Sequence, residues 1–274
     1  MTIPEPFPEL QEILTAIGEA GQRLSDIDAS EGAAGNISVF IGWPMEVRRL
    51  FPLATEIDLP VRVPHLVGRL FFITGSGRRL RDILSEPTAN LAAIVINEGG
   101  ASAQQYTGPG CLFTRVTSEF NSHLAIHQDQ ILRSNTNFHA VIHAQPTHIT
   151  YLSHIPRYQN QAFLNEHLMR WQPETIVNLP SGIGVIPFHV PGSEVLMQAT
   201  VESLRQHRLV IWSKHGVVAR SDISVKRASD RIEYAEIAAR YEYLNLINRE
   251  QAEGLSKAEI QQIIQDLGLD QTLY

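Results

Sequence analysis

The sequence contains very little cysteine and no long hydrophobic run. Cys111 is the one cysteine among 274 residues, so the chain cannot form an internal disulfide or a zinc site built of cysteines. Any metal site must therefore use His, Asp or Glu side chains. Apolar runs such as 70–73 and 209–212 are far too short to span a bilayer. The first residues also lack the basic and apolar regions of a signal peptide, and we expect a cytoplasmic protein without a membrane partner.

Basic residues are outnumbered by acidic ones. There are 22 Lys and Arg against 29 Asp and Glu, for a formal net charge of −7. This balance argues against a surface that neutralises nucleic-acid phosphates. The apolar content of 43% and charged content of 19% are typical of a globular protein, and the length is sufficient to bury a full core. Because we find no repeat, linker or low-complexity tract, we expect a single domain over residues 1–274.

The hydrophobic pattern changes repeatedly between helical and strand periodicity, which predicts an α/β fold with a central, largely antiparallel sheet. Helices are predicted at 8–26, 78–84, 117–133, 147–154, 194–207 and 224–248, with Thr117 or Ser118 as the cap of the third. Strands are predicted after the glycine-rich segment 32–36 and at 69–74, 91–97, 140–144, 209–212 and 217–219, with a strand pair within 177–190.

Several polar residues follow predicted strands, where a ligand could reach them. The segment 74–77, Thr-Gly-Ser-Gly, precedes a helix and is compatible with a phosphate cradle, although such turns are more often purely structural. Glu119 begins a helix, where it could complement the helix dipole or act as a general base. His143 ends a strand, and Gln145 two residues later points to the same side. His215 precedes Gly216 after a buried strand, and a lone His of this kind is structural more often than not.

The order of these segments resembles the class II aldolase/adducin family, and within it the rhamnulose-phosphate branch. The segments that carry the resemblance are 34–38 (Ala-Gly-Asn-Ile-Ser), 72–77 (Phe-Ile-Thr-Gly-Ser-Gly), 117–119 (Thr-Ser-Glu), 141–145 (Val-Ile-His-Ala-Gln) and 212–217 (Trp-Ser-Lys-His-Gly-Val). A further stretch from 182 to 192 matches the rhamnulose branch. The resemblance covers about residues 35–237. It implies a three-layer α/β/α fold, a homotetramer with active sites at subunit boundaries, and a divalent metal, most often zinc.

The resemblance also implies roles for individual residues. His143 and His215 match two of the family's three histidine ligands, whereas Gln145 stands where the second histidine belongs. Glu119 matches the catalytic acid/base, and Glu174 matches a second carboxylate of the rhamnulose branch. The positions that match the substrate-phosphate site are Asn36, Gly75, Ser76, Thr117 and Ser118.

Three functions remain open from the sequence. The first is metal-dependent retro-aldol cleavage of a ketose 1-phosphate, similar to rhamnulose 1-phosphate, into dihydroxyacetone phosphate and an aldehyde. In that reaction Glu119 would need a carboxyl pKa raised by burial. The second is a sugar-phosphate epimerase or decarboxylase on the same fold. The third is a non-catalytic, adducin-like interaction protein, which Gln145 favours and which Glu119, His143 and His215 oppose.

Overall fold

A computed structural model describes residues 2–249, 251–271 and 273. Its central element is one nine-stranded sheet with the strand order β2-β5-β4-β3-β1-β6-β9-β8-β7. The strands are β1 (Asn36–Ile41), β2 (Leu53–Asp58), β3 (Leu70–Thr74), β4 (Leu91–Ile96), β5 (Ser102–Thr107), β6 (Phe138–Ala144), β7 (Gly184–Ile186), β8 (Leu209–Trp212) and β9 (Gly216–Ser221). Every pairing is antiparallel except that of β7 with β8, so the predicted sheet type is confirmed.

Helices cover both faces of this sheet and give the predicted three-layer arrangement. They are α1 (Leu10–Asp26), α2 (Pro87–Asn90), α3 (Phe120–Ser134), α4 (Thr147–Leu152), α5 (Gln161–Leu168), α6 (Pro173–Asn178), α7 (Glu194–Leu204), α8 (Val225–Ile247) and α9 (Lys257–Asp266). Helices α1 and α8 pack together on one face, and α3 packs with α7 on the other. In the part of the chain that the structure describes, each helix is too short or too polar to serve as a membrane span.

Alternation along β1 explains how the sheet separates two environments. Ile37, Val39 and Ile41 face the large core under α1 and α8. Asn36 and Ser38 point to the opposite face, under α3, and both are buried. Since side chains alternate across a strand, the hydrophobic positions anchor the register and the polar positions line up beneath one helix.

Several sequence predictions were incomplete or wrong. The strand pair within 177–190 is wrong: α6 occupies Pro173–Asn178, and only β7 is a strand. Pro173 at the first helical turn is the local signal for that helix. The predicted cap of the third helix was also misplaced, because the N-cap residue is Glu119 and its side chain makes no capping bond. Strands β2 and β5 and helices α2, α5 and α9 had not been predicted, and the helix predicted at 78–84 is only a 3-10 turn at Leu80–Asp82.

Candidate metal and substrate site

Three potential metal ligands converge at one edge of the sheet. Glu119, at the start of α3, lies between His143 of β6 and His215 of the β8–β9 turn. Its Oε2 is 3.8 Å from His143 Nε2, and its Oε1 is 3.7 Å from His215 Nε2. The candidate ligand atoms all lie within 4.8 Å of one another. Tetrahedral zinc ligands with bonds near 2.1 Å are separated by about 3.4 Å, so a small inward movement would bring all three onto one ion.

Local folding orients both imidazoles. His143 Nδ1 donates to the backbone carbonyl of Val217 at 2.9 Å, and this bond directs Nε2 toward Glu119. A metal-binding His is usually held in place because its other ring nitrogen donates an N–H to a carbonyl or carboxylate. The Trp212 ring stacks against His143 and His215, with centroid distances of 4.8 and 5.3 Å. The donor set and its orientation therefore fit a divalent cation.

Gly216 allows the two histidine-bearing segments to approach closely. A Cβ added at this position would lie 2.4 Å from the Ala144 carbonyl oxygen and 3.0 Å from His143 Cε1. No side chain fits there without a shift of the β6–β9 pairing. The glycine after His215 is thus required by packing around the candidate ligands.

Glu119 is buried, with 5% of its surface exposed, and is held by Asn36. The Asn36 Nδ2 amide donates to Glu119 Oε2 at 2.8 Å. Burial alone would raise the pKa of the Glu119 carboxyl, but His143, the Asn36 hydrogen bond and further imidazoles lower it by more. Its pKa is therefore below the ordinary value, contrary to the expected increase. Burial and His143 lower the pKa of His215.

A cavity of about 160 Å³ contains nearly all of the residues predicted for the site. Its wall is formed by Ala33, Ala34, Gly35, Asn36, Gly75, Ser76, Gly77, Thr117, Ser118, Glu119, His143, Gln145 and His215. Gln145 lies in this wall and adjoins Gly216, while its backbone amide donates to the Ala29 carbonyl at 2.8 Å. Gln145 is therefore available beside the candidate ligands.

The predicted phosphate-binding residues offer hydroxyl groups more readily than amides. The amides of Gly75, Ser76 and Thr117 donate to the carbonyls of Asn90, Arg115 and Thr74, respectively. These bonds build the loop, so the same N–H groups are not free for an anion. Ser76 and Ser118 line the cavity and carry side-chain hydroxyls that could serve an anion there. The Asn36 side-chain amide, which we expected at the substrate phosphate, lines the cavity and donates to Glu119 in this structure.

Two further residues of interest, Glu174 and His148, do not line the cavity. Glu174 is exposed in the first turn of α6. His148, one turn beyond Gln145, directs Nδ1 to Glu236 on α8 at 2.6 Å and cannot replace the missing histidine in this conformation. Conversely, the sequence prediction had not identified His123, whose ring contacts Asn36. A pair of His residues four apart on α3, at positions 123 and 127, is the signal that could have found it.

Comparison with known proteins shows which family this chain resembles. The profile of the "Class II Aldolase and Adducin N-terminal domain" matches residues 15–243. A rhamnulose-1-phosphate aldolase from Bacteroides thetaiotaomicron is 31% identical over 238 residues, which is 85% of each chain. The structure of a sugar-phosphate aldolase from Thermotoga maritima has a TM-score of 0.72 at 28% identity, covering 87% of this chain and 97% of that one.

An L-fuculose-1-phosphate aldolase from Thermus thermophilus shares the fold, with a TM-score of 0.55 at 17% identity over 89% of this chain and 98% of that one. The profile match spans most of the chain and includes every residue of the candidate metal cluster. The chain belongs to the class II aldolase and adducin family and is a class II aldolase, a carbon–carbon lyase.

Proposed function

We propose that the protein is a divalent-metal-dependent aldolase that cleaves a ketose 1-phosphate of the rhamnulose type into dihydroxyacetone phosphate and an aldehyde. The observation that carries this proposal is the convergence of Glu119, His143 and His215 at a cavity that is also lined by small and hydroxyl-bearing residues. Its similarity to the Bacteroides rhamnulose-1-phosphate aldolase supports the choice of substrate.

His143 and His215 would hold the metal, most often zinc in this family, with Gln145 or Glu119 as a further oxygen donor. The two imidazoles suit zinc, and the oxygen donors also tolerate harder ions. When bound, a divalent ion supplies a Lewis acid that draws electrons from the substrate's carbonyl group.

Glu119 is suited to move the proton in this reaction. Cleavage breaks the C3–C4 bond, so the C4 hydroxyl loses its proton and C3 gains one. An ionised Glu119 can accept the first proton, directly or through water, and deliver it to C3. Its lowered pKa is consistent with a group that begins the cycle as a base. The Asn36 amide would keep Oε2 in place and leave Oε1 for the substrate.

The substrate phosphate would lie beside Gly75, Ser76, Thr117 and Ser118, which line the same cavity. Glu174 is exposed on α6 and does not line the cavity, so as the second carboxylate it would be contributed by another copy of the chain. A homotetramer with shared active sites would meet that requirement. A cytoplasmic location is part of the same proposal.

The test is direct product analysis. Purified protein, supplied with zinc, manganese or cobalt, is mixed with L-rhamnulose 1-phosphate, and dihydroxyacetone phosphate is followed by coupled reduction. L-fuculose 1-phosphate serves as the comparison substrate. We expect release of dihydroxyacetone phosphate and preference for the rhamnulose compound. Isomerised or decarboxylated product without dihydroxyacetone phosphate would instead indicate the epimerase or decarboxylase function.

Substitution of Glu119 tests the mechanism itself. Glu119→Gln should reduce kcat by roughly 10²–10⁴-fold, the usual contribution of a general acid–base. Glu98→Gln, on an exposed turn, is the matched control and should retain activity. Metal content measured on both variants separates loss of proton transfer from loss of the ion.

A further inference from the structure

A line of buried polar side chains extends from Glu119 into the layer between α3 and the sheet. Its members are Asn36 and Ser38 of β1, His123 and His127 of α3, and His139 of β6, none more than 7% exposed. Phe71 packs against His127 at 5.2 Å between ring centroids, within an otherwise hydrophobic layer. Buried polar groups are costly unless they are hydrogen-bonded, so each donor and acceptor in this line needs a partner.

The direction of the first bonds follows from the carboxylate. Asn36 donates its Nδ2 to Glu119, which leaves Oδ1 as an acceptor. The Oδ1 contacts His123 Nε2, so that nitrogen must carry the hydrogen. If the amide were reversed, its oxygen would face the carboxylate of Glu119 and repel it. Thus the charge on Glu119 requires the Nε2–H tautomer of His123.

The same direction of hydrogen-bond donation, toward Glu119, continues through Ser38. Burial lowers the pKa of His123 to about 4, so its ring is neutral and Nδ1 accepts. Ser38 Oγ is 2.6 Å from that nitrogen and therefore donates its hydrogen there. The same Oγ lies 2.7 Å from His127 Nε2 and has only lone pairs left for it. His127 must consequently be the Nε2–H tautomer as well.

The line ends at His139. Burial lowers the pKa of His127 well below its ordinary value, so its Nδ1 accepts. His139 Nδ1 is 2.9 Å from it and is the donor. That leaves His139 Nε2 as a lone pair, which is buried and has no partner among the described residues. An unpaired acceptor is the less costly way to end such a chain, because buried N–H groups without a partner are rarer than buried acceptors without one.

All donors in this line therefore point toward Glu119. Proton conduction along it is blocked at Asn36, because an amide nitrogen does not pass a proton on. The line can, however, hold the amide with its N–H toward the carboxylate. We propose that His123 is a positioning residue for the aldol reaction, fixed as the Nε2–H tautomer by Ser38, His127 and His139, and that it orients Asn36 and thereby Glu119. The catalytic part of this inference rests on the proposed function.

The tautomers can be measured without any substrate. Nitrogen-15 NMR of the zinc-loaded protein, labelled at histidine, distinguishes nitrogen atoms that carry hydrogen from those that do not. We expect neutral rings, with hydrogen on Nε2 of His123 and His127 and on Nδ1 of His139. Assignment comes from variants that remove each histidine in turn. A His123 ring that carries its hydrogen on Nδ1, or on both nitrogens, overturns the proposal whether or not the substrate is correct.

Three variants test whether His123 affects catalysis. His123→Gln keeps a donor and an acceptor on separate atoms, whereas His123→Leu removes both. His207→Leu is the matched control, because His207 is also buried, donates to the Ser181 carbonyl and lines no part of the cavity. We expect kcat to fall roughly 10–100-fold in His123→Leu, with little change in KM, and to recover in large part in His123→Gln.

A purely structural role predicts a different result. In that case His123→Leu and His207→Leu would lose thermal stability alike while the folded protein kept its kcat, and the proposal would be wrong. Absence of aldolase activity in the unmodified protein would count against the proposed function, and the tautomers would still decide whether the donor direction is correct.

Discussion

Asn36 and His143 are opposite one another in the register of β1 and β6, and both approach the Glu119 carboxylate. The Asn36 amide is 2.8 Å from Oε2, and His143 Nε2 is 3.8 Å from the same oxygen. A slip of one residue in this strand pair would turn one of these side chains to the opposite face of the sheet. The hydrophobic alternation of β1 thus holds the site in register as well as the core.

An imidazole introduced at position 145 should strengthen metal binding. Gln145 lies in the cavity wall next to Gly216, and imidazole nitrogen is a better zinc ligand than an amide oxygen. We expect the zinc Kd of Gln145→His to fall by on the order of tenfold or more. Competition against a chelator of known affinity measures the change. Gln198→His, on the exposed side of α7, is the control, and equal affinities in the two variants would show that position 145 does not reach the ion.

Removing the Ser76 hydroxyl should weaken phosphate binding. The Ser76 amide is used by the Arg115 carbonyl, so the hydroxyl is the group left for the substrate. A hydrogen bond to a charged group contributes about 1.5–3 kcal/mol, which predicts an increase in KM of roughly tenfold or more for Ser76→Ala. Steady-state kinetics with the phosphorylated ketose tests this. Ser85→Ala, in an exposed turn, should behave like the unmodified protein, and so should Ser76→Ala itself if the phosphate binds elsewhere.

Acid should destabilise the fold through its buried histidines. Burial lowers the pKa of His139 to about 3, against about 6.5 for an exposed His. Between these values the unfolded chain binds the proton and the folded protein does not, so the free energy of unfolding falls as the pH decreases from about 6.5 toward 3. One such group contributes a slope of up to about 1.4 kcal/mol per pH unit.

Replacing His139 with phenylalanine should remove its share of that slope. Chemical unfolding at several pH values from 7.5 down to 5 gives the measurement, with His154→Phe as an exposed control. Identical slopes in His139→Phe and the unmodified protein would contradict the assignment of a buried neutral ring.

Glu242 should be important for stability but not for catalysis. Its carboxylate is buried under α5 and accepts from Tyr158, from Arg170 at 2.9 Å and from Trp171 at 2.9 Å. Removing the charge in Glu242→Ala leaves three donors without their partner, and we expect the free energy of unfolding to decrease by about 3 kcal/mol or more. Urea unfolding measures this. Tyr158→Phe, which loses a single bond, should cost about 1 kcal/mol, and the reverse ranking would contradict the shared role of Glu242.

Local sequence patterns were sufficient to predict the helices and strands whose hydrophobic periodicity is strong. The prediction of α1 from 8–26 and of β1 after the glycines agrees with the structure to within a few residues, because each has one apolar face. Strand β2 was not predicted because its residues are mostly exposed and do not form a buried apolar face. Its place at the sheet edge depends on pairing with β5, 44 or more residues away, which no local pattern encodes.

The sequence by itself determined the family, the three-layer fold and the residue types of the candidate site, because motif order and hydrophobic periodicity are local properties of the chain. Only the tertiary structure decided which groups meet. The pairing of β1 with β6 brings Asn36 beside His143, and the packing of α3 places His123 behind Asn36. The direction of the bonds to Glu119 follows from burial and from the count of donors and acceptors, which exist only once distant segments have packed together.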